Sequence, residues 1–194
     1  MKILLHTCCG PCASACVPRL AEAGHDVTMF YSNSNIDTED EFGRRLESAG
    51  RLAAADGVPL VADAYDHAAW LREVAAGYEG EPERGARCAR CFRFSLARAA
   101  RYAKEHGYDG FATSLTVSPH KVSPVIFEQG DAAASDAGGG AMFLHEDFKK
   151  REGFRLSVRR AAELGLYRQS YCGCEFSRRR APAVVGVARE RSGE

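Results

Sequence analysis

Apolar residues along this chain recur in two alternating rhythms. Four short apolar runs, Lys2–His6, Asp26–Tyr31, Val58–Ala62 and Tyr108–Thr113, have the length and composition of strands in a covered sheet. Between them the apolar positions return every three or four residues, the spacing of a helix with one buried face. Pro11 suits a first turn, and the helix it opens runs to about Ala23 with Gly24 as its stop. Phe42, Leu46, Ala49 and Ala53 share a face in the next helix, which Gly57 ends. A short helix is expected over His67–Ala76. A long one runs from Cys88 to about His106, striped by Phe92, Leu96, Ala99 and Ala103 and closed by Gly107. Strands alternating with helices predict an α/β domain: a parallel sheet flanked by helices, with the loops that follow its strands gathered along one edge. Functional residues are expected at that edge.

The rest of the chain is less regular. Gly77–Arg87 is rich in glycine and charge and reads as a loop. Asp131–Ala141 is almost wholly Ala, Gly, Ser and Asp, too poor in large apolar groups to repay the entropy of ordering, and reads as a flexible surface loop. From Phe143 onward the signals are short helices and turns, a mostly helical C-terminal part that carries the last two cysteines. The small, charged tail 181–194 is expected to fray. A length of 194 residues with 45% hydrophobic content suits one domain over 1–194. Met1–Thr7 has the pattern of neither a signal peptide nor a membrane span, so the expectation is a cytoplasmic protein with no membrane partner.

Charge narrows the partners. The 26 basic and 26 acidic side chains cancel, so a nucleic acid must be held by local patches. Candidates are Arg98, Arg101 and Lys104 on one helix, Lys149–Arg151 with Arg155 and Arg159–Arg160, and Arg178–Arg180.

The eight cysteines change the picture most. In a reducing compartment they point to metal binding or redox catalysis rather than structural disulfides. They fall in three groups: Cys8-Cys9 with Cys12 and Cys16, Cys88-x-x-Cys91, and Cys172-Gly173-Cys174. Cys8 and Cys9 leave a strand just before a helix, and Cys88 and Cys91 share a face where another helix begins. Helix N-termini stabilise thiolates and donate to sulfur, so Cys8, Cys9, Cys88 and Cys91 suit a [4Fe-4S] cluster. The same four would also make a structural zinc site, and spacing separates the two weakly. Cys172-Gly173-Cys174 is too tight for an ordinary pair of zinc ligands, and its glycine permits the geometry of a short disulfide loop. It reads as a redox-active pair, with two further ligands or inert thiols as the alternative. Cys16 reads as a small core residue. Cys12 projects toward the same cavity and is a candidate for a second metal.

His6-Thr7-Cys8-Cys9-Gly10-Pro11-Cys12 resembles the opening signature of the QueH-type epoxyqueuosine reductases. The resemblance continues in register through Tyr31–Arg45, Cys88–Leu96, Thr113–Lys121, Asp147-Phe148-Lys149-Lys150 and Gly165–Ser177. Two positions depart from it: Ser34 stands where the family usually has Pro, and Ser123-Pro124 replaces a stretch that commonly holds a His. The fold implied is similar to the Rossmann-like (HUP-like) nucleotide hydrolases, with Cys8–Cys12 in place of their phosphate loop, so ATP use is not expected. The resemblance further implies a [4Fe-4S] cluster on Cys8, Cys9, Cys88 and Cys91, a redox-active Cys172/Cys174 pair, and a mononuclear iron for which Cys12 and Asp147 are candidate ligands. The implied reaction deoxygenates epoxyqueuosine at a tRNA wobble position, with that tRNA and an unknown electron donor as partners. His6, Tyr171 and Asp147 are candidate proton donors, but the simpler roles are a strand-end residue bonded to backbone for His6 and packing over the Cys172/Cys174 pair for Tyr171, so neither is counted as catalytic. Tyr31, Phe92, Tyr167 and Tyr171 are candidates to stack on an extruded base, with core packing the simpler role for Phe92. The competing readings are a zinc-stapled RNA-binding module without catalysis and a thiol–disulfide oxidoreductase acting on proteins.

Overall fold

In the computed structural model, residues 1–178 are described; the expected tail 181–194, and Arg179 and Arg180 of the last basic cluster, lie outside the described residues. Five strands, β1 (Lys2–Thr7), β2 (Asp26–Tyr31), β3 (Leu60–Ala62), β4 (Gly110–Thr113) and β5 (Met142–Phe143), form one parallel sheet in the order β3-β2-β1-β4-β5. The central strand β1 pairs on both sides, Ile3 opposite Val27 of β2 and opposite Gly110 of β4. Its side chains alternate between two cores, as a strand's period of two requires. Ile3 and Leu5 join Val27, Met29 and Phe148 on one face, and Leu4 joins Phe30, Leu96 and Phe111 on the other. Both faces are covered, so the strands read as continuous apolar runs.

The helices are α1 (Gly10–Ala13), α2 (Cys16–Glu22), α3 (Glu39–Asp56), α4 (His67–Trp70), α5 (Ala86–Glu105), α6 (Ser123–Asp136), α7 (Gly153–Glu163) and α8 (Glu175–Arg178). The Thr38 hydroxyl caps α3 by accepting from the Glu41 N–H, and Gly57 ends it at φ 66°. A π-helical turn over Leu71–Ala75 extends α4, and a 3₁₀ turn over Ser114–Val117 follows β4.

Three expectations need correction. The single helix Pro11–Ala23 is two, broken at Ser14-Ala15. Pro18 has no N–H for the Ser14 carbonyl and its ring crowds that group; the carbonyl accepts from Arg160 instead, at 2.5 Å. The flexible loop expected over Asp131–Ala141 is helix α6 as far as Asp136. Alanine is the strongest helix former, Pro124 fits the first turn, and Ala133 is 1% exposed. Small residues here serve close packing: a Cβ on Gly130 would lie 2.3 Å from the Phe143 ring. The third correction is Tyr31, expected as a stacking platform but fully buried, its hydroxyl donating to the Phe42 carbonyl at 2.9 Å.

Two of the expected basic patches are also partly committed to the fold. Arg98 pairs with Asp63, and Arg160 pairs with Asp56. No helix among the described residues is long and apolar enough to cross a membrane.

Candidate functional site

The carboxyl ends of β1, β2 and β4 open onto one edge of the sheet, and the chain leaving β1 there begins with Cys8. Its N–H donates to the Ser114 hydroxyl at 3.1 Å, and that hydroxyl reaches the Cys8 sulfur at 3.4 Å. Two residues on, Gly10 lets α1 rest against α3, because a Cβ there would lie 2.5 Å from the Ser48 carbonyl oxygen. Folded this way, the sulfurs of Cys8, Cys9 and Cys12 lie within 4.8 Å of one another, a group able to hold a metal ion. Cys16 donates to the Cys12 carbonyl from inside the core.

The three thiols share protons unequally. Hydrogen bonding from Cys12 and Cys8 holds the Cys9 thiol well below its usual range against the cost of burial, and Gln169 Nε2 donates to the same sulfur at 3.2 Å. The same contacts push Cys12 well up.

Cys88 and Cys91 stand across the cavity at the start of α5. The Arg84 N–H donates to Cys88 at 3.3 Å, and Nε1 of the buried Trp70 donates to Cys91 at 3.4 Å. Burial pushes both thiols up. One cavity of about 510 Å³ is lined by Cys8, Cys12, Cys88, Cys91, Cys172 and Cys174, so six of the eight cysteines face a single space. Asp147 lies outside the sulfur group: its carboxylate accepts from Ser123 at 3.0 Å and stands 3.9 Å from Lys149.

The Cys172–Cys174 segment is held from beneath by a buried charge pair. Arg45 and Glu41 are each 2% exposed and 2.7 Å apart. The guanidinium also donates to the carbonyls of Cys172 and Tyr171, at 2.9 and 3.2 Å. Gly173 has φ 141°, open only to glycine, and a Cβ there would meet Asn35, Ile36 and Arg45. All eight cysteines are free thiols; Cys172 is exposed and Cys174 half-buried beside the Ser177 hydroxyl. Tyr167 and Tyr171 donate to Glu41 and Asp37 while their rings lie against Arg44 and Arg45, so both are braced by the fold. His6 is buried and bonded to Thr113 and to the Ser32 carbonyl, the strand-end role. Burial lowers its pKa.

A family model described as epoxyqueuosine reductase QueH matches residues 3–180. Curated relatives bearing that name include one from Streptococcus pyogenes serotype M1, 37% identical over 91% of this chain and 70% of its own. One from Acinetobacter baylyi is 35% identical over 92% and 81%, and one from Thermotoga maritima 32% identical over 90% and 89%. The chain belongs to the QueH family. Among solved structures, a predicted subunit of tRNA methyltransferase from Methanocaldococcus jannaschii matches with a TM-score of 0.54 at 12% identity over 81% of this chain and 76% of that one, a likeness of fold alone.

In this QueH-family chain the site also contains residues that the cysteine pattern did not single out. Lys121 lines the cavity with Nζ 3.6 Å from the Cys172 sulfur. Burial disfavours its ammonium, but attraction to the ionised sulfurs of Cys172, Cys8 and Cys12 outweighs that and raises its pKa. Gln169, Trp70 and Arg45 complete the set. Gln169 and Lys121 lie inside segments that matched the family by resemblance; Trp70 had no signal beyond being the single tryptophan.

Proposed function

We propose that this protein reduces epoxyqueuosine in tRNA to queuosine, with a [4Fe-4S] cluster on Cys8, Cys9, Cys88 and Cys91 and a redox-active Cys172/Cys174 pair. The observation that carries the reading is the convergence of six cysteines on one cavity, with buried Cys9 beside Cys8 and Cys12, in a QueH-family chain. The donor set suits the cluster: N–H and O–H groups of Gln169, Arg84, Trp70 and Ser114 point at the four sulfurs, as an anionic thiolate cluster requires. When bound, such a cluster supplies one-electron transfer to the cavity. Cys12, beside Cys8 and Cys9, is the residue we assign to a second metal, with Asp147 a more distant candidate.

The electron balance favours a dithiol. Opening the epoxide and losing its oxygen as water takes two electrons and two protons and leaves an alkene. Oxidation of Cys172 and Cys174 to a disulfide releases two of each, so one turnover consumes one dithiol, which an external reductant regenerates. Exposure of Cys172 leaves it within reach of that reductant. The Lys121 ammonium, bonded to the Cys172 sulfur, steadies the charge that develops there as its proton leaves. The Arg45–Glu41 pair keeps the segment in place.

The test is anaerobic reconstitution with iron and sulfide, followed by mass analysis of nucleosides from epoxyqueuosine-containing tRNA. Wild type is expected to take up about four irons and four sulfides and to form queuosine. Cys172→Ser should load normally and form none. Uptake of zinc alone with the nucleoside untouched would overturn the proposal in favour of a non-catalytic RNA-binding module.

A further inference from the structure

The cavity has a lip that the sulfur chemistry does not use. Phe154 and Val122 line it while remaining 40% and 45% exposed, large apolar groups left open to water. The same cavity is lined by Arg84, His120, Lys121 and Arg168, with Glu83 as the acid among the lining residues. Arg84 reaches across to His120 at 3.5 Å, and exposed Arg168 has no ion-pair partner among the described residues. Strained backbone is found in two of the segments that supply this lining. The non-glycine residues with positive φ among those described are Arg84, Arg151 and Glu152, at 69°, 53° and 56°. The first lines the cavity, and the other two precede Gly153-Phe154.

That turn is also closely packed. Arg19 donates to the Lys150 carbonyl at 2.8 Å, and a Cβ on Gly153 would lie 1.7 Å from the Phe148 carbonyl oxygen. Phe154 is therefore held at the mouth by a preset backbone, the arrangement that lowers the entropy cost of binding. An exposed aromatic in a cavity that also presents several cations suits single-stranded nucleic acid, where bases stack on the ring and phosphates meet the charges.

We propose that this lip is a nucleotide subsite: Phe154 stacks on a base neighbouring the modified nucleoside, and Arg168 and Arg84 hold the flanking phosphates. The inference rests on the reading of tRNA as substrate and names the residues that receive its unpaired loop. Reaching the cavity requires the modified base to leave the stack, and a stacking surface at the mouth replaces the contact its neighbour loses.

The test is fluorescence anisotropy with a labelled tRNA anticodon stem-loop and, as control, a blunt RNA duplex of the same stem. Phe154→Ala should weaken stem-loop binding about 5- to 150-fold and leave duplex binding unchanged, while Phe154→Trp restores it. Arg168→Ala should reduce the salt slope by about one. Circular dichroism checks that the variants fold. Equal stem-loop binding by wild type and Phe154→Ala, or wild-type binding that ignores the loop, would overturn the subsite. Nucleoside conversion by wild type is scored separately: conversion with an unaffected Phe154→Ala sinks the lip alone, and loop-specific binding without conversion sinks the reductase reading alone.

Discussion

Single residues decide how the sulfurs are presented. Gly173 is the sharpest case: its φ of 141° is closed to other residues, and a Cβ would stand 2.8 Å from Asn35 Nδ2 and 3.3 Å from Arg45. Gly173→Ala is therefore expected to cost about 1–3 kcal/mol, read as a lower urea midpoint with an unchanged slope. The same change should speed alkylation of Cys172, because the segment loses its fixed seat; an unaltered labelling rate would mean that the glycine is not what holds it. The cysteines were legible as candidates from residue type alone, since eight thiols in one chain are rarely idle. Their donors were not. Trp70 and Cys91 are far enough apart in sequence that no local pattern links them, and the indole N–H meets the sulfur only after the turn following α4 packs on α5.

At the scale of elements, one ion pair on α3 fixes a segment far away in the chain. Arg45 and Glu41 lie one helical turn apart, an arrangement worth a few tenths of a kcal/mol on an exposed surface. Here they are buried, and the guanidinium also holds the carbonyls of Tyr171 and Cys172. Removing Glu41 leaves the buried guanidinium without a carboxylate, and removing Arg45 leaves the buried Glu41 only the exposed Arg44 and the Tyr167 hydroxyl. Arg45→Met alone should cost about 3–5 kcal/mol, and Glu41→Leu should cost about as much; the double variant should recover most of the loss. Chemical denaturation of the four proteins measures this coupling, and simple additivity would show that the pair acts independently. Helix periodicity placed α3 and α5 close to their observed bounds because their apolar stripes are long. It failed at α6, where alanine and glycine carry too little hydrophobic contrast to reveal a face, and at α2, where one proline outweighed the pattern.

The molecule as a whole gathers the termini of several elements around one cavity. Cys8 and Cys12 follow β1, Cys88 and Cys91 open α5, and Cys172 and Cys174 precede α8. A cluster on Cys8, Cys9, Cys88 and Cys91 would tie the end of β1 to α5 and so bind the folded state in preference to the unfolded one. Reconstituted protein should melt several degrees above the metal-free form under argon, and Cys88→Ser should abolish that difference while changing the metal-free midpoint little. Equal midpoints for loaded and metal-free wild type would exclude a cluster that links these elements. The alternation of strand and helix, the parallel sheet and the identity of the thiols could be read from the chain directly, because periodicity and residue type are local properties. Folding in three dimensions was needed to show that Asp147 stands apart, that Tyr31 is core, and that Lys121, Gln169 and Arg45 serve the site. Those are contacts between residues distant along the chain, and no pattern of neighbours encodes them.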